Sequence, residues 1–199
     1  MPKVSPEHMQ ARRDQIARAA IDEFAQRGIH STSMVNIIKA SGLSAGAIYT
    51  HFSSKDEIIA YVAQTTFSGL FAGVEAVASL EPPPRPSELA GLITWRISEA
   101  EIPTGLLVQV WGEAVSNSDV REAVNAVYAR ALTVLREYYV LWLTTSEGEE
   151  LRAAQQQAAA RARLLVSLIY AQILQMSLIE GHDTKAFNAD LGELLDPAD

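Results

Sequence analysis

The chain contains no cysteine. That excludes disulfide staples, thiolate metal sites and a cysteine nucleophile, and it fits a reducing cytoplasm, the expected location. Histidine is scarce: His8, His30, His51 and His182 are scattered, and none pairs with another at metal-ligand spacing. No metal, cofactor or catalytic group is therefore expected. Strand-like alternation between turn residues is missing, so no sheet is expected. Long hydrophobic runs are missing too. The longest, 164–179, is interrupted by Ser167, Gln172, Gln175 and Ser177, which is too short and too polar to span a bilayer, and no membrane partner is expected. The N-terminal MPKVSPEHMQARR has charge and two prolines but no apolar centre, so it does not read as a signal peptide.

Net charge is −8 over 199 residues, which taken alone argues against nucleic acid. Its distribution argues otherwise. Residues 1–60 hold seven Lys/Arg and six Asp/Glu, a net of +1, whereas residues 61–199 hold nine and eighteen, a net of −9. A near-neutral head on an acidic body is compatible with DNA binding by the head alone, since such charges are screened within about 10 Å at ordinary salt.

What the chain does have is helical periodicity from end to end. Ile16, Ala20 and Phe24 recur every four residues, widened by Ala17 and Ile21, and predict an amphipathic helix over 9–27 that Gly28 ends. The stretch TSMVNIIKASGLSAGAIYTHFSSKDEI, residues 32–58, then predicts two short helices joined by a turn. Met34, Ile37, Ile38 and Ser41 fall at helical spacing behind Thr32 or Ser33 as cap. Gly42 stops that helix, because a left-handed backbone costs glycine nothing. Ser44 is placed to cap a second helix, 45–51, with Ile48 and Phe52 on its core side. Ala45, Gly46 and Ala47 leave the opposite side without bulk, so a partner's backbone can come close there. Tyr49, Thr50 and His51 carry hydrogen-bonding groups suited to phosphate oxygens or base edges. Ser54 and Glu57 are spaced as a capping box for a fourth helix that opens on Lys55.

GLSAG at 42–46 also matches G-x-S-x-G, the nucleophile elbow of serine hydrolases. That motif needs a buried strand before the serine, and here the preceding residues read as amphipathic helix, so no enzyme is expected.

The head strongly resembles the DNA-binding domain of TetR-family transcriptional regulators. The matching residues are Ala20, Phe24, Gly28, Thr32, Ile37, Ala40, Gly42, Ser44, Gly46, Tyr49, His51, Phe52 and Lys55, without a gap. The candidate DNA contacts are Thr32, Ser33, Ser44, Ala45, Gly46, Ala47, Tyr49, Thr50, His51 and Lys55, with Ala45 standing where the family often has a basic or polar residue. Thr50, Ala45 and Ala47 are assigned to base edges or thymine methyls, and Thr32, Tyr49, His51 and Lys55 to the backbone.

After the fourth helix, EPPPRP at 81–86 puts four prolines in five residues and forms a stiff connector. Further helices are expected over 88–99, 104–116, 119–145, 149–180 and 184–195. The expected architecture is all-α: a helix-turn-helix DNA-binding domain (1–54), a long connecting helix (55–80), and a helical ligand-binding and dimerisation domain (81–199).

The body is rich in aromatics with polar neighbours, and a mostly apolar pocket with a few polar anchors is what a small ligand needs. Phe67, Trp95, Gln109, Trp111, Glu113, Tyr128, Tyr139 and Tyr170 are the candidate lining residues. The resemblance likewise implies an inducer site in this region. Leu164, Leu165, Leu168, Ile169, Ile173 and Met176 make the eighth helix apolar on nearly all sides, which suits a central helix or an interface between subunits that would also include Gln172. The resemblance favours the interface, a four-helix bundle of the last two helices of each subunit, with Leu191, Leu194 and Leu195 completing it.

The chain is thus expected to be a homodimeric, ligand-responsive regulator, most simply a repressor, that leaves a palindromic operator in double-stranded DNA when an unidentified inducer, apolar or aromatic, binds. Its half-sites would lie about 34 Å apart or somewhat more. A transcriptional activator and a helical protein-interaction module are the alternatives.

Overall fold

The structure is a computed structural model that describes residues 5–78, 80–99 and 103–196, with side chains at 66–74, 77 and 78 outside the description. Its described elements are α1 (Pro6–Arg27), α2 (Met34–Ser41), α3 (Ala45–His51), α4 (Lys55–Ala78), α5 (Pro86–Glu99), α6 (Thr104–Ser116), α7 (Ser118–Thr145), α8 (Leu151–Leu178) and α9 (Thr184–Leu195). Among the described residues there is no strand.

Local chemistry explains most boundaries. α1 begins three residues earlier than the expected start at residue 9, because Ser5 Oγ accepts the His8 N–H and Pro6 stands where a helix has no use for an N–H. Ser33 and Asn36 satisfy each other's backbone donors at the start of α2, and Gly42 ends it at φ 68°. Ser44 Oγ accepts the Ala47 N–H at 3.2 Å and starts α3.

The α4 start differs in one bond from the expected capping box. Ser54 Oγ accepts the Glu57 N–H at 3.1 Å, but the Glu57 carboxylate returns to the N–H and hydroxyl of Ser53, not to Ser54. Ser87 lies inside α5 and bonds the Asp196 carboxylate after α9, while Asn117 Oδ1 accepts the N–H groups of Asp119 and Val120.

Packing divides the elements into two units that do not follow chain order. One comprises the residues up to Thr66 together with Gly105–Val124, and the other comprises Phe67–Thr104 and the residues from Asn125 onward. In the first, Ile16, Ala20 and Phe24 of α1, Ile37, Ile48, Phe52, Ile58 and Ile59 are fully buried or nearly so. Helices as short as α2 and α3 are unstable alone. Burial worth about 1.5–3 kcal/mol for each large apolar side chain is what holds them.

The second unit packs α5 against α8 and α9. Leu89, Ile93, Ile97, Leu135, Leu143, Leu165, Ile169, Ile173 and Leu191 are buried there. The proline connector is tied down in the same unit: Pro83 and Pro86 are buried, and the Tyr138 hydroxyl donates to the Pro84 carbonyl at 2.6 Å.

Candidate nucleic-acid interface and ligand-binding body

The surface of α3 divides as its residue types require. Ile48 is fully buried and Phe52, the residue after the helix, is 1% exposed. Ser44, Ala45, Gly46, Tyr49 and Thr50 face solvent, and Ala47 and His51 are half-buried. Tyr49 is 54% exposed, a large aromatic surface left uncovered. The Thr50 hydroxyl donates to the Gly46 carbonyl at 2.8 Å, so its proton is committed while its methyl and lone pairs are not. His51 Nδ1 is enclosed and without a partner. Ser33 is exposed at the start of α2.

One expected contact residue is enclosed, and another, half-exposed, is partly engaged within the head. Thr32 is only 2% exposed, and its hydroxyl donates to Gly28 O at 2.8 Å and lies 3.2 Å from Glu23 O. It closes the α1–α2 turn from inside and has no surface to offer a phosphate. Lys55 Nζ donates to the Ile29 carbonyl at 2.8 Å. Its ammonium is held by the same turn.

That turn has a further holder from far along the chain. Gln109 of α6 accepts the Ile29 N–H at 2.8 Å through Oε1. Both backbone polar groups of Ile29 are therefore satisfied by side chains 26 and 80 residues away. Gly28, at φ 82°, passes so close that a Cβ there would lie 3.4 Å from Gln109 Oε1. The α2 end is held similarly, with Gln15 Nε2 donating to Ser41 O at 3.0 Å. Sequence reasoning missed these roles because no local pattern marks a glutamine as the partner of a distant loop.

The candidate ligand residues fall in both units. Gln109, Trp111 and Glu113 lie on α6 in the first unit, whereas Trp95, Tyr128, Tyr139 and Tyr170 lie in the second. Phe67 lies outside the residues whose side chains are described. Tyr128 and Tyr170 do meet, edge to face with centroids 6.3 Å apart, and burial pushes the Tyr170 phenol up to about 12. Tyr139 is core, packed edge-on against Tyr138 and Trp142, and burial pushes it too up to about 12. Trp95 is half-exposed on the surface of α5. A groove of about 700 Å³ between α7 and α8 is lined by Leu132, Val140, Leu141, Arg136 and Arg163 among others, and by none of the eight.

α8 carries two stripes where the sequence suggested one continuous apolar surface. Leu165, Ile169, Gln172 and Ile173 face inward and are buried, as is Leu191 of α9, so all five belong to the unit's own core. A second stripe of Ala160, Leu164, Leu174 and Leu178 faces solvent, with Leu164 52% exposed. Leu194 of α9 is exposed as well, whereas Leu168, Met176 and Leu195 are half-buried. Steps of three and four residues run within each stripe, 158, 162, 165, 169 and 172 in the inner one and 160, 164, 167, 171, 174 and 178 in the outer.

Among the described residues no His, Asp or Glu cluster is arranged to hold a metal, and no helix is long and apolar enough to cross a membrane.

The fold and the exposed α3 define a helix-turn-helix protein with a helical body. Residues 16–62 match the family model of bacterial regulatory proteins, tetR family. The head, residues 16–62, is thus similar to the DNA-binding domain of that family. It is 27% identical over 116 residues to the HTH-type transcriptional repressor KstR2 of Mycolicibacterium smegmatis, a match covering 58% of this chain and 56% of that protein. The chain thus spans about half the length of that curated relative. Solved structures extend the likeness of fold to nearly the whole chain. Salmonella enterica GusR superposes with a TM-score of 0.73 at 24% identity, covering 97% of this chain and 98% of that one. The transcriptional regulator FadR from Bacillus subtilis, in complex with stearoyl-CoA, superposes with a TM-score of 0.65 at 19% identity, covering 92% and 96%.

Proposed function

We propose that this protein is a DNA-binding transcriptional regulator, a homodimeric repressor that leaves a palindromic operator when a small apolar or aromatic molecule binds its body. One observation carries the reading: α3 buries Ile48 against the head and leaves Tyr49, Thr50 and a surface of alanine and glycine open to a partner. A major groove is wide enough to admit such a helix, and small residues let its backbone approach base edges. Ala45 and the Thr50 methyl are suited to thymine methyls, and Ser44, Tyr49 and His51 to the phosphate backbone. Thr32 and Lys55 act from behind, by shaping the turn that supports α2.

In this reading residues 1–54 bind DNA, residues 55–80 connect, and residues 81–199 carry ligand and dimer surfaces, with α6 packed on the head. The exposed stripe of Leu164, Leu174 and Leu178, extended by Leu194, is the surface a second subunit would cover. Tyr128 and Tyr170 are the candidate ligand contacts that the fold brings together. FadR, of the same fold, holds stearoyl-CoA, which supports an apolar ligand class.

The test uses duplexes selected by the protein from a randomised pool. Tyr49→Ala is expected to weaken binding to the selected duplex by one to two orders of magnitude. Its melt should stay within about 0.5 kcal/mol of the parent, as for other surface substitutions. An unchanged affinity would remove α3 as the reading helix.

A further inference from the structure

Arg13, on α1, has an unusual set of partners for a surface arginine. Its Nη1 donates to the carbonyl oxygen of His51 at 2.9 Å, and His51 is the last residue of α3. Its guanidinium carbon lies 4.3 Å from the centroid of the Phe52 ring and 4.5 Å from that of Tyr61. Those two rings meet edge to face at 5.3 Å, and Glu57 Oε1 stands 3.8 Å from Nη1. The side chain is 30% exposed.

Each contact acts on α3 or on the residues that follow it. The last carbonyls of a helix have no partner within it, and a cation at that end also suits the helix dipole. A planar guanidinium stacks on ring faces while its edge donates hydrogen bonds, which an ammonium cannot do in one pose. α3 has only seven residues and buries little beyond Ile48. Few contacts therefore fix its angle, and Arg13 supplies a hydrogen bond at its C-terminal end, while Gln15 on the same helix holds the end of α2.

We infer that Arg13 is a positioning residue for DNA recognition: through the His51 carbonyl and the Phe52 ring it sets the angle at which α3 is presented, and it makes no phosphate contact itself. The inference rests on α3 being the reading helix. Its consequence is specific. A phosphate contact contributes alike to every duplex and to the salt dependence, whereas the angle of α3 matters only where bases are read.

The experiment measures wild type, Arg13→Lys and Tyr61→Leu on two duplexes across a salt series. One duplex is selected by the wild-type protein from a randomised pool, and the other has random sequence. Arg13→Lys keeps the charge but loses the fork and the stacking. It is expected to lose on the order of tenfold in affinity for the selected duplex while random-duplex affinity and the salt slope hold, as an angle set through one hydrogen bond implies. Tyr61→Leu removes one wall of the sandwich from α4 without touching α3, and is expected to lower the same ratio. Simple unfolding would lower both affinities together and leave their ratio intact, which would overturn the proposal. A tolerated Arg13→Lys, with a slope that falls by about one when Arg13→Met removes the charge, would assign Arg13 to a phosphate and overturn it too. If the wild type selects no sequence, it is the reading of α3 that fails.

Discussion

Replacing Gln109 by leucine isolates the contribution of α6 to the head. In the native structure Gln109 Oε1 accepts the Ile29 N–H at 2.8 Å, and Ile29 is 2% exposed. Leucine has nearly the same bulk and no acceptor. The N–H is then buried without a partner, which costs about 1–3 kcal/mol. For a chain of this size each kcal/mol shifts the melt by about 2–4 °C, so a fall of about 2–12 °C is expected. The loss should be local: in hydrogen exchange the Ile29 amide should lose protection far more than amides of α8. Gln109→Glu keeps an acceptor for the same N–H and should restore most of the stability. A melt and an Ile29 exchange rate both unchanged in Gln109→Leu would refute the reasoning, because the bond would then contribute nothing to the turn.

Two further outcomes are expected. Leu164→Glu and Leu174→Glu place a charge on the exposed stripe of α8 and should give monomers by sedimentation with helicity intact. Leu165→Glu, in the buried stripe, should collapse the fold, and intact dimers of the first two variants would move the interface elsewhere. Tyr139 and Tyr170 have phenols raised by burial to about 12, and Tyr138 is raised further by the same cause. The folded state therefore keeps protons that the unfolded state releases from about pH 10 upward, so their stabilisation is intact below pH 10 and is lost as pH rises toward 12. In an alkaline titration followed by tyrosinate absorbance and circular dichroism, ionisation of these residues should coincide with loss of helix; ionisation near pH 10 with the helix intact would contradict their burial.

The head was legible because its signals are local. Ser33, Gly42 and Ser44 announce the ends of α2 and α3 through their own backbone chemistry, and Ile48 and Phe52 announce the buried side by spacing alone. What was not legible depends on partners distant in sequence. Thr32 reads as a surface hydroxyl until the chain turns back at Gly28 and encloses it. Lys55 reads as a free cation at a helix start until the Ile29 carbonyl takes it. Gln109 reads as a polar anchor in an apolar helix, and nothing near it indicates that its acceptor serves a peptide 80 residues earlier. On α8 the difficulty was different. Enough apolar residues are present for two stripes, and composition alone does not say which belongs to the core. Register does: Gln172, polar yet fully buried with its Nε2 on Asn188, lies in the inner stripe, and Leu174, two residues on, lies in the outer one.

The measurement that bears most directly on the account is the electrophoretic mobility of DNA from around this protein's own gene, mixed with the purified protein across a salt series with random DNA as competitor. The account predicts a complex that survives an excess of competitor, weakens linearly in log–log terms as salt rises, and carries two copies of the chain. DNA that shifts only as much as the random competitor does, at every salt concentration, would contradict it.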